Sequence, residues 1–192
     1  AEFAGMIEQR FSTFAADVMQ QFMTALQRGV KICSFSERND SVVMWSHYAD
    51  SHKGFCVEYP LGLLPPTDPR RRALQPVLYS DTLFDITKYL LAAIQGQTFN
   101  NLFGVLAASR KSPDWAYERE WRLVHPLGAS QPDMNLSMPR PSALFLGARM
   151  AADHKDKLRE IADSLGIPTL EMQMTPGEFR MEAKRRLRGG TD

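Results

Sequence analysis

Two stretches of this 192-residue chain concentrate side chains able to do chemistry. The first is Trp115-Ala116-Tyr117-Glu118-Arg119-Glu120-Trp121-Arg122, where charges alternate with large aromatics. Residues two apart share one face of a β-strand. Read as a strand, Trp115, Tyr117, Arg119 and Trp121 lie on one face, and Ala116, Glu118, Glu120 and Arg122 on the other. Two carboxylates and a guanidinium on an aromatic floor lose hydration unless they are paired or used. One outcome is an ion-pair ladder. The carboxylates then meet Arg or Lys across the sheet, or Glu118 meets Arg122 at four-residue spacing if the stretch is helical. The other is a site in which Glu118 or Glu120 steadies developing positive charge or activates a hydroxyl.

The second stretch is Ser34-Phe35-Ser36, followed by Met44-Trp45-Ser46-His47-Tyr48-Ala49-Asp50-Ser51-His52-Lys53-Gly54. Two histidines with Asp50 between them invite a metal reading, and with it a metal-dependent hydrolase using His47, Asp50 and His52. Five-residue spacing does not bring two imidazoles onto one helix face, whereas three or four would. His125 and His154 add no matching cysteine or carboxylate pattern, so no metal is expected and the hydrolase ranks lowest. A nucleophilic Cys56–His pair is disfavoured because Cys56 lies in a strand that reads as buried. The plain structural alternative for Trp45, His47 and Tyr48 is a short helix packed on a sheet. No glycine-rich phosphate loop and no nucleophile elbow occurs.

The elements that must position these stretches follow from periodicity. Ile7, Phe11, Phe14, Val18, Phe22 and Leu26 recur at helical spacing, which predicts a helix over 6–28 stopped by Gly29, its stripe against a core. A partner groove could use the same stripe. Residues 30–36 read as a strand, Asn39-Asp40 as a turn, and Ser41 as the cap of a short helix from Val42 to Tyr48. Gly54–Tyr59 reads as a buried strand, Pro60–Arg72 as a loop and Gln75–Tyr79 as a short strand. Helices are expected over 81–95 and 98–109, then a loop from Lys111 to Asp114 and a strand from Trp115 to His125. Residues 126–141 read as a surface loop, Ala143–Leu146 as a strand, and 152–165 as a helix ended by Gly166. Leu170–Met174 and Phe179–Glu182 read as strands, with a frayed tail after Arg188. Strands interrupted by helices with short connections predict an α+β fold of small mixed, mainly antiparallel sheets with flanking helices.

The length suits a single domain over 1–192 with a substantial core. The net charge of +1 argues against a dominant polyanion-binding surface, although Arg70-Arg71-Arg72 and the run Lys184 to Arg188 could touch phosphate locally. Nucleic acid as a partner is therefore left open. Cys33 and Cys56 carry no spacing motif and read as small buried hydrophobes in a reducing compartment, which points to the cytoplasm. No apolar run approaches the ~20 residues of a membrane span, so no membrane association is expected.

The two stretches together resemble a bacterial family catalogued as domain of unknown function 2971. The resemblance rests on Ser34-Phe35-Ser36, on Met44 to Gly54, and on Lys111 with Trp115 to Arg122; Leu146-Gly147-Ala148-Arg149-Met150 fits the family's later part. By analogy of fold, the family resembles the ADP-ribosyltransferase-like domains, compact α+β proteins that split a nicotinamide nucleotide between two small sheets. The resemblance implies NAD as the small molecule and a macromolecular target; a role as toxin or defence effector would suit that chemistry but is not readable in the residues. Glu118 or Glu120 would be the carboxylate that holds a ribose hydroxyl and steadies an oxocarbenium-like transition state. Ser34, Ser36, Trp45, His47, Tyr48, His52, Tyr117 and Arg122 would line the nucleotide. The alternative is a non-enzymatic binding or regulatory module on the same residues, or on the 6–28 helix. Family members begin with a strand and an Asn-Asp-Pro turn ahead of the long helix. Nothing similar precedes Phe3, so the expectation is a chain shortened at its N-terminus and inactive.

Overall fold

A computed structural model describes residues 2–95, 102–126 and 137–185. In chain order the elements are α1 (Glu2–Gly29), β1 (Val30–Ser36), α2 (Val42–Tyr48), β2 (Phe55–Glu58), α3 (Pro69–Ala73), β3 (Leu74–Pro76), β4 (Leu78–Tyr79), α4 (Thr87–Ile94), α5 (Leu102–Ala108), β5 (Arg110–Lys111), β6 (Glu120–Pro126), β7 (Ala143–Leu146), α6 (Ala152–Leu165), β8 (Thr169–Met174) and β9 (Met181–Lys184). Two 3-10 helices, Leu61–Leu63 and Pro113–Glu118, complete the set. This is the α+β fold that the pattern predicts.

The contacts divide the chain into two units. The first gathers the described parts of Ala1–Phe35, Ala73–Pro113 and Trp121–Asn135. Its larger sheet has the order β1-β6-β3, with β3 antiparallel to β6 in the register Leu74↔Leu123, Gln75↔Arg122 and Pro76↔Trp121. The parallel pair β4-β5 matches Leu78 with Arg110 and Tyr79 with Lys111. Buried Val77, Phe103, Leu123 and Val124 supply its interior.

The second unit takes the described parts of Ser36–Arg72, Asp114–Glu120 and Leu136–Asp192. Its sheet has the order β2-β7-β8-β9: β2 is antiparallel to β7, β8 parallel to β7, and β9 antiparallel to β8. All four residues of β7 are buried, so both faces of this central strand are covered. Ala143 and Phe145 cluster with Trp45 and Ala49 of the α2 segment and with Met172 and Met181. Leu144 and Leu146 cluster with Ala162 of α6 and with Met150 and Ile167. Two helices thus cover opposite faces of one sheet, which explains why β7 reads as a continuous apolar run.

Local chemistry accounts for the boundaries. Ser41 caps α2, its Oγ accepting from the Met44 N–H. Gly166 ends α6 in the left-handed region at φ 61 and donates its N–H to the Ala162 and Asp163 carbonyls. On α6, Lys155 and Arg159 both reach Glu171 of β8, at 2.7 and 2.5 Å, and lower the pKa of that carboxyl.

Several expectations are corrected. Of the α1 stripe expected against a core, Ile7, Phe11, Phe14 and Val18 are exposed, as is Phe3, while the side chains of Phe22 and Leu26 lie outside the described residues. The expected strand from Trp115 begins only at Glu120, because Pro113 opens a 3-10 helix that runs through Glu118. Proline suits the first helical position, where its fixed φ fits and its missing N–H is not needed. Cys33 is exposed rather than buried, and Cys56 is half-buried. Phe55 is exposed, so β2 is not the buried strand expected over Gly54–Tyr59. Within the expected loop from Pro60 to Arg72, Leu61–Leu63 and the start of α3 are helical. The expected strand Gln75–Tyr79 is two strands in different sheets, divided at Val77. The loop expected from Lys111 gives its first residue to β5. The helix expected over 81–95 is confined to Thr87–Ile94, and that over 98–109 is seen as Leu102–Ala108. Most of the 126–141 loop and the tail after Arg188 lie outside the described residues.

Candidate functional site

The Glu118-Arg119-Glu120 triplet changes backbone direction at its middle residue. Glu118 ends the 3-10 helix, Arg119 takes the left-handed conformation at φ 46, and Glu120 opens β6. Positive φ in a residue with a Cβ is strained by on the order of 1–3 kcal/mol, and such strain gathers at functional sites. Glu118 and Glu120 therefore do not share one face of a strand. Both are nevertheless buried, Glu118 at 4% and Glu120 at 6% exposure, while the intervening Arg119 is exposed.

The two stretches meet at Glu118. The Tyr48 hydroxyl donates to Glu118 Oε1 at 2.7 Å, and the Ser36 hydroxyl donates to the Glu118 carbonyl at 2.6 Å. Ser36 Oγ also accepts from the Arg38 N–H at 3.1 Å, and the Glu37 N–H donates to the Arg119 carbonyl at 3.2 Å. The turn 36–40 and the corner 118–119 are thus tied side by side. Together Glu37, Arg38, Asn39, Asp40 and Arg119 line an open polar cleft of about 320 Å³. Arg38 Nε donates to Asp40 Oδ1 at 2.6 Å, and this hydrogen bond is the main reason the Asp40 pKa lies below its ordinary value. Beside the corner lies a group of rings: His47 meets Tyr48 and Trp115 edge-on at 6.3 and 6.4 Å, and Trp115 lies 6.0 Å from Tyr117. Tyr48 is 62% exposed although its hydroxyl is engaged.

Trp45 plays a different part from the one expected for a ligand contact. Its ring is in the core, and its Nε1 donates to the Asn39 carbonyl at 2.6 Å, which holds the floor of the cleft. Behind α2 the chain passes through three successive left-handed residues, Asp50, Ser51 and His52, at φ 43, 53 and 69. This turn survives because its amides are used: Ser51, His52 and Gly54 donate to the carbonyls of Ser46, Trp45 and Ala49. Its outer side is fixed by Gly147 and Arg149, whose N–H groups donate to the Gly54 and His52 carbonyls. His52 Nε2 lies 2.9 Å from Ser46 Oγ. His47 and His52 point to separate surroundings, and among the described residues no group of three or more His, Cys, Asp or Glu is placed to hold a metal ion.

Burial, and secondarily the charge of Arg149, lowers the His52 pKa from 6.5. The folded chain therefore resists protonation that the unfolded chain accepts. The stability linked to His52 is complete above the unfolded pKa and is lost as pH falls from there through the folded pKa. We expect the urea midpoint to drop more steeply between about pH 7.5 and pH 5 in the wild type than in His52→Gln. Parallel curves for the two proteins would show that His52 carries no such linkage.

Ser36, Tyr48, Glu118 and, through its carbonyl 3.5 Å from Arg38 Nη1, Tyr117 are thus brought together. Ser34 and Arg122 belong to the first unit, where Ser34 is exposed on β1 and Arg122 donates to the Ala108 carbonyl. Of the cleft residues, Asn39-Asp40 reads only as a turn and Arg38 carries no signal, since a cation two residues before an acid is ordinary surface chemistry until a fold places Arg119 beside it.

Residues 44–123 match the model of the family described as Protein of unknown function (DUF2971), and the match includes both Met44–Gly54 and Trp115–Arg122. No curated protein and no solved structure matches the chain. Among the described residues no helix is long and apolar enough to cross a membrane.

Proposed function

We propose that the second unit binds a nicotinamide dinucleotide and transfers its ADP-ribosyl part to a macromolecule, with Glu118 as the carboxylate at the reacting ribose. The observation that carries this reading is the meeting of Tyr48 and Ser36 on Glu118 beside a strained Arg119 and an open cleft. The cleft volume, about 320 Å³, is at the lower end for ligand sites and suits a phosphate or ribose phosphate rather than a whole dinucleotide. Arg119 supplies the guanidinium for such a phosphate. The exposed rings of His47, Tyr48 and Trp115 offer faces on which a flat base can stack.

In this reading a ribose hydroxyl takes the place of the Tyr48 phenol on Glu118, one donor for another. The glycosidic C–N bond breaks and its electron pair leaves with neutral nicotinamide. The buried carboxylate steadies the positive charge that spreads over the ribose ring. A nucleophile of the target then bonds to the same carbon and gives up its proton to solvent. Chemistry of this kind on a cellular target suits a toxin or defence effector working in the cytoplasm, where the dinucleotide is supplied.

The test combines calorimetry with chromatography of released nicotinamide. The wild type should bind the oxidised dinucleotide, Arg119→Ala about tenfold more weakly. Glu118→Gln should still bind but release nicotinamide at least about 100-fold more slowly. Absence of binding heat in the wild type would end the nucleotide reading. A second reading, a binding module without turnover, is favoured by the burial of both Glu118 and Glu120. Binding without any released nicotinamide would select it.

A further inference from the structure

We infer that α1 pairs with α1 of a second copy of this chain, in antiparallel orientation. The helix has 28 residues, and eight of its apolar side chains from Phe3 to Met23 are between 39% and 72% exposed. Propensity favours this helix, but helices in proteins owe most of their stability to packing of an apolar face, and that face of α1 is open. Phe3, Ile7, Phe11, Phe14 and Val18 follow one another at intervals of four, four, three and four, so the stripe runs almost parallel to the helix axis.

That stripe is self-complementary when reversed. Setting Phe11 opposite Phe14 of the second copy also sets Ile7 opposite Val18. The charges on its flank agree with the same register. Arg10 and Asp17 are seven residues apart, so they share one side of the stripe, two turns from each other. In an antiparallel pair each flank meets its own counterpart, which places Arg10 beside Asp17 of the second copy and Asp17 beside its Arg10. Helical side chains lean toward their own N-terminus, so these two lean toward one another. On the opposite flank Glu8 faces the region of Ala15 and Met19 and meets no like charge. Reversed helices also bring opposite dipole ends together. Two such helices cover roughly 600 Å² on each copy, about 1,200 Å² in total, the lower bound for a specific stable interface.

Sedimentation equilibrium on the full chain tests this. The wild type should form dimers at micromolar concentration, and Phe11→Glu should be monomeric with unchanged far-ultraviolet circular dichroism. Asp17→Arg alone should weaken the dimer about tenfold, and Arg10→Asp combined with Asp17→Arg should restore it to within about threefold of the wild type. A wild-type monomer overturns the inference and leaves the stripe to another segment of its own chain or to another protein. A dimer indifferent to Phe11→Glu overturns it as well, and a dimer lost in Phe11→Glu but unmoved by either charge change overturns the antiparallel register.

Discussion

Replacing Gly147 with alanine is expected to destabilise the chain by about 3 kcal/mol or more, far beyond an ordinary glycine substitution. A Cβ at this position would stand 2.2 Å from the His52 carbonyl oxygen, 2.6 Å from that of Gly54 and 2.8 Å from the His52 carbonyl carbon. All three are backbone atoms, so no side chain can swing aside to relieve the overlap. Nor can the backbone yield cheaply. His52 is the last of three left-handed residues, and its carbonyl accepts from the Arg149 N–H while that of Gly54 accepts from Gly147 itself. Moving either strand of this contact breaks hydrogen bonds that hold a strained turn in place. The measurement is urea unfolding followed by tryptophan fluorescence, with Gly62→Ala as the comparison. A Cβ at Gly62 meets nothing within 4 Å, so that variant should stay within about 0.5 kcal/mol of the wild type. Equal midpoints for the two variants would mean that the approach of Gly147 to the 50–54 turn is not as close as described.

This contact also shows what could and could not be seen in the amino-acid order. The short helix at Val42–Tyr48 was legible because Ser41 is a capping residue before an apolar run, and α6 because Gly166 stands where a left-handed stop is needed. Such signals are local, and their physics is complete within a few residues. At Glu118-Arg119-Glu120 the alternating residue types imitate the period of a strand. Pro113 starts a tighter helical turn, and a left-handed Arg119 resets the direction before β6. No residue type announces Arg119 as left-handed; the bonds from Glu37 N–H to its carbonyl and from its own N–H to the Ala116 carbonyl hold it there. The apolar spacing of α1 identifies a helix, yet Ile7, Phe11, Phe14 and Val18 are exposed, since periodicity gives the direction of an apolar face and not its partner. The convergence of Tyr48 and Ser36 on Glu118 is of the same long-range kind, spanning 70 and 82 residues.

Trp45→Ala is expected to be the most damaging single truncation in the second unit, costing about 3–5 kcal/mol. The side chain is 4% exposed and packs with Ala49, Ala143, Phe145, Met172 and Met181, so its loss leaves a cavity against residues of β7, β8 and β9. Small neighbours such as Ala49 and Ala143 cannot fill that space. Trp45→Phe separates packing from hydrogen bonding. It keeps most of the ring and loses the Nε1 donor to the Asn39 carbonyl, a loss of about 1 kcal/mol together with some volume. The phenylalanine variant is the more informative about function. Asn39 and Asp40 line the cleft, and the Asp40 carbonyl accepts from the Met181 N–H, so the turn is held from the core at two adjacent carbonyls. With one of them released, the chain should remain folded at room temperature while any ligand of the cleft binds more weakly. Comparing urea midpoints with ligand affinity in wild type, Trp45→Phe and Trp45→Ala decides the matter. If Trp45→Phe lowers stability without touching affinity, the indole serves the core alone. If affinity falls more than stability, the buried ring sets the position of the cleft, and the Met44-Trp45-Ser46-His47-Tyr48 stretch acts on the site from both its buried and its exposed side.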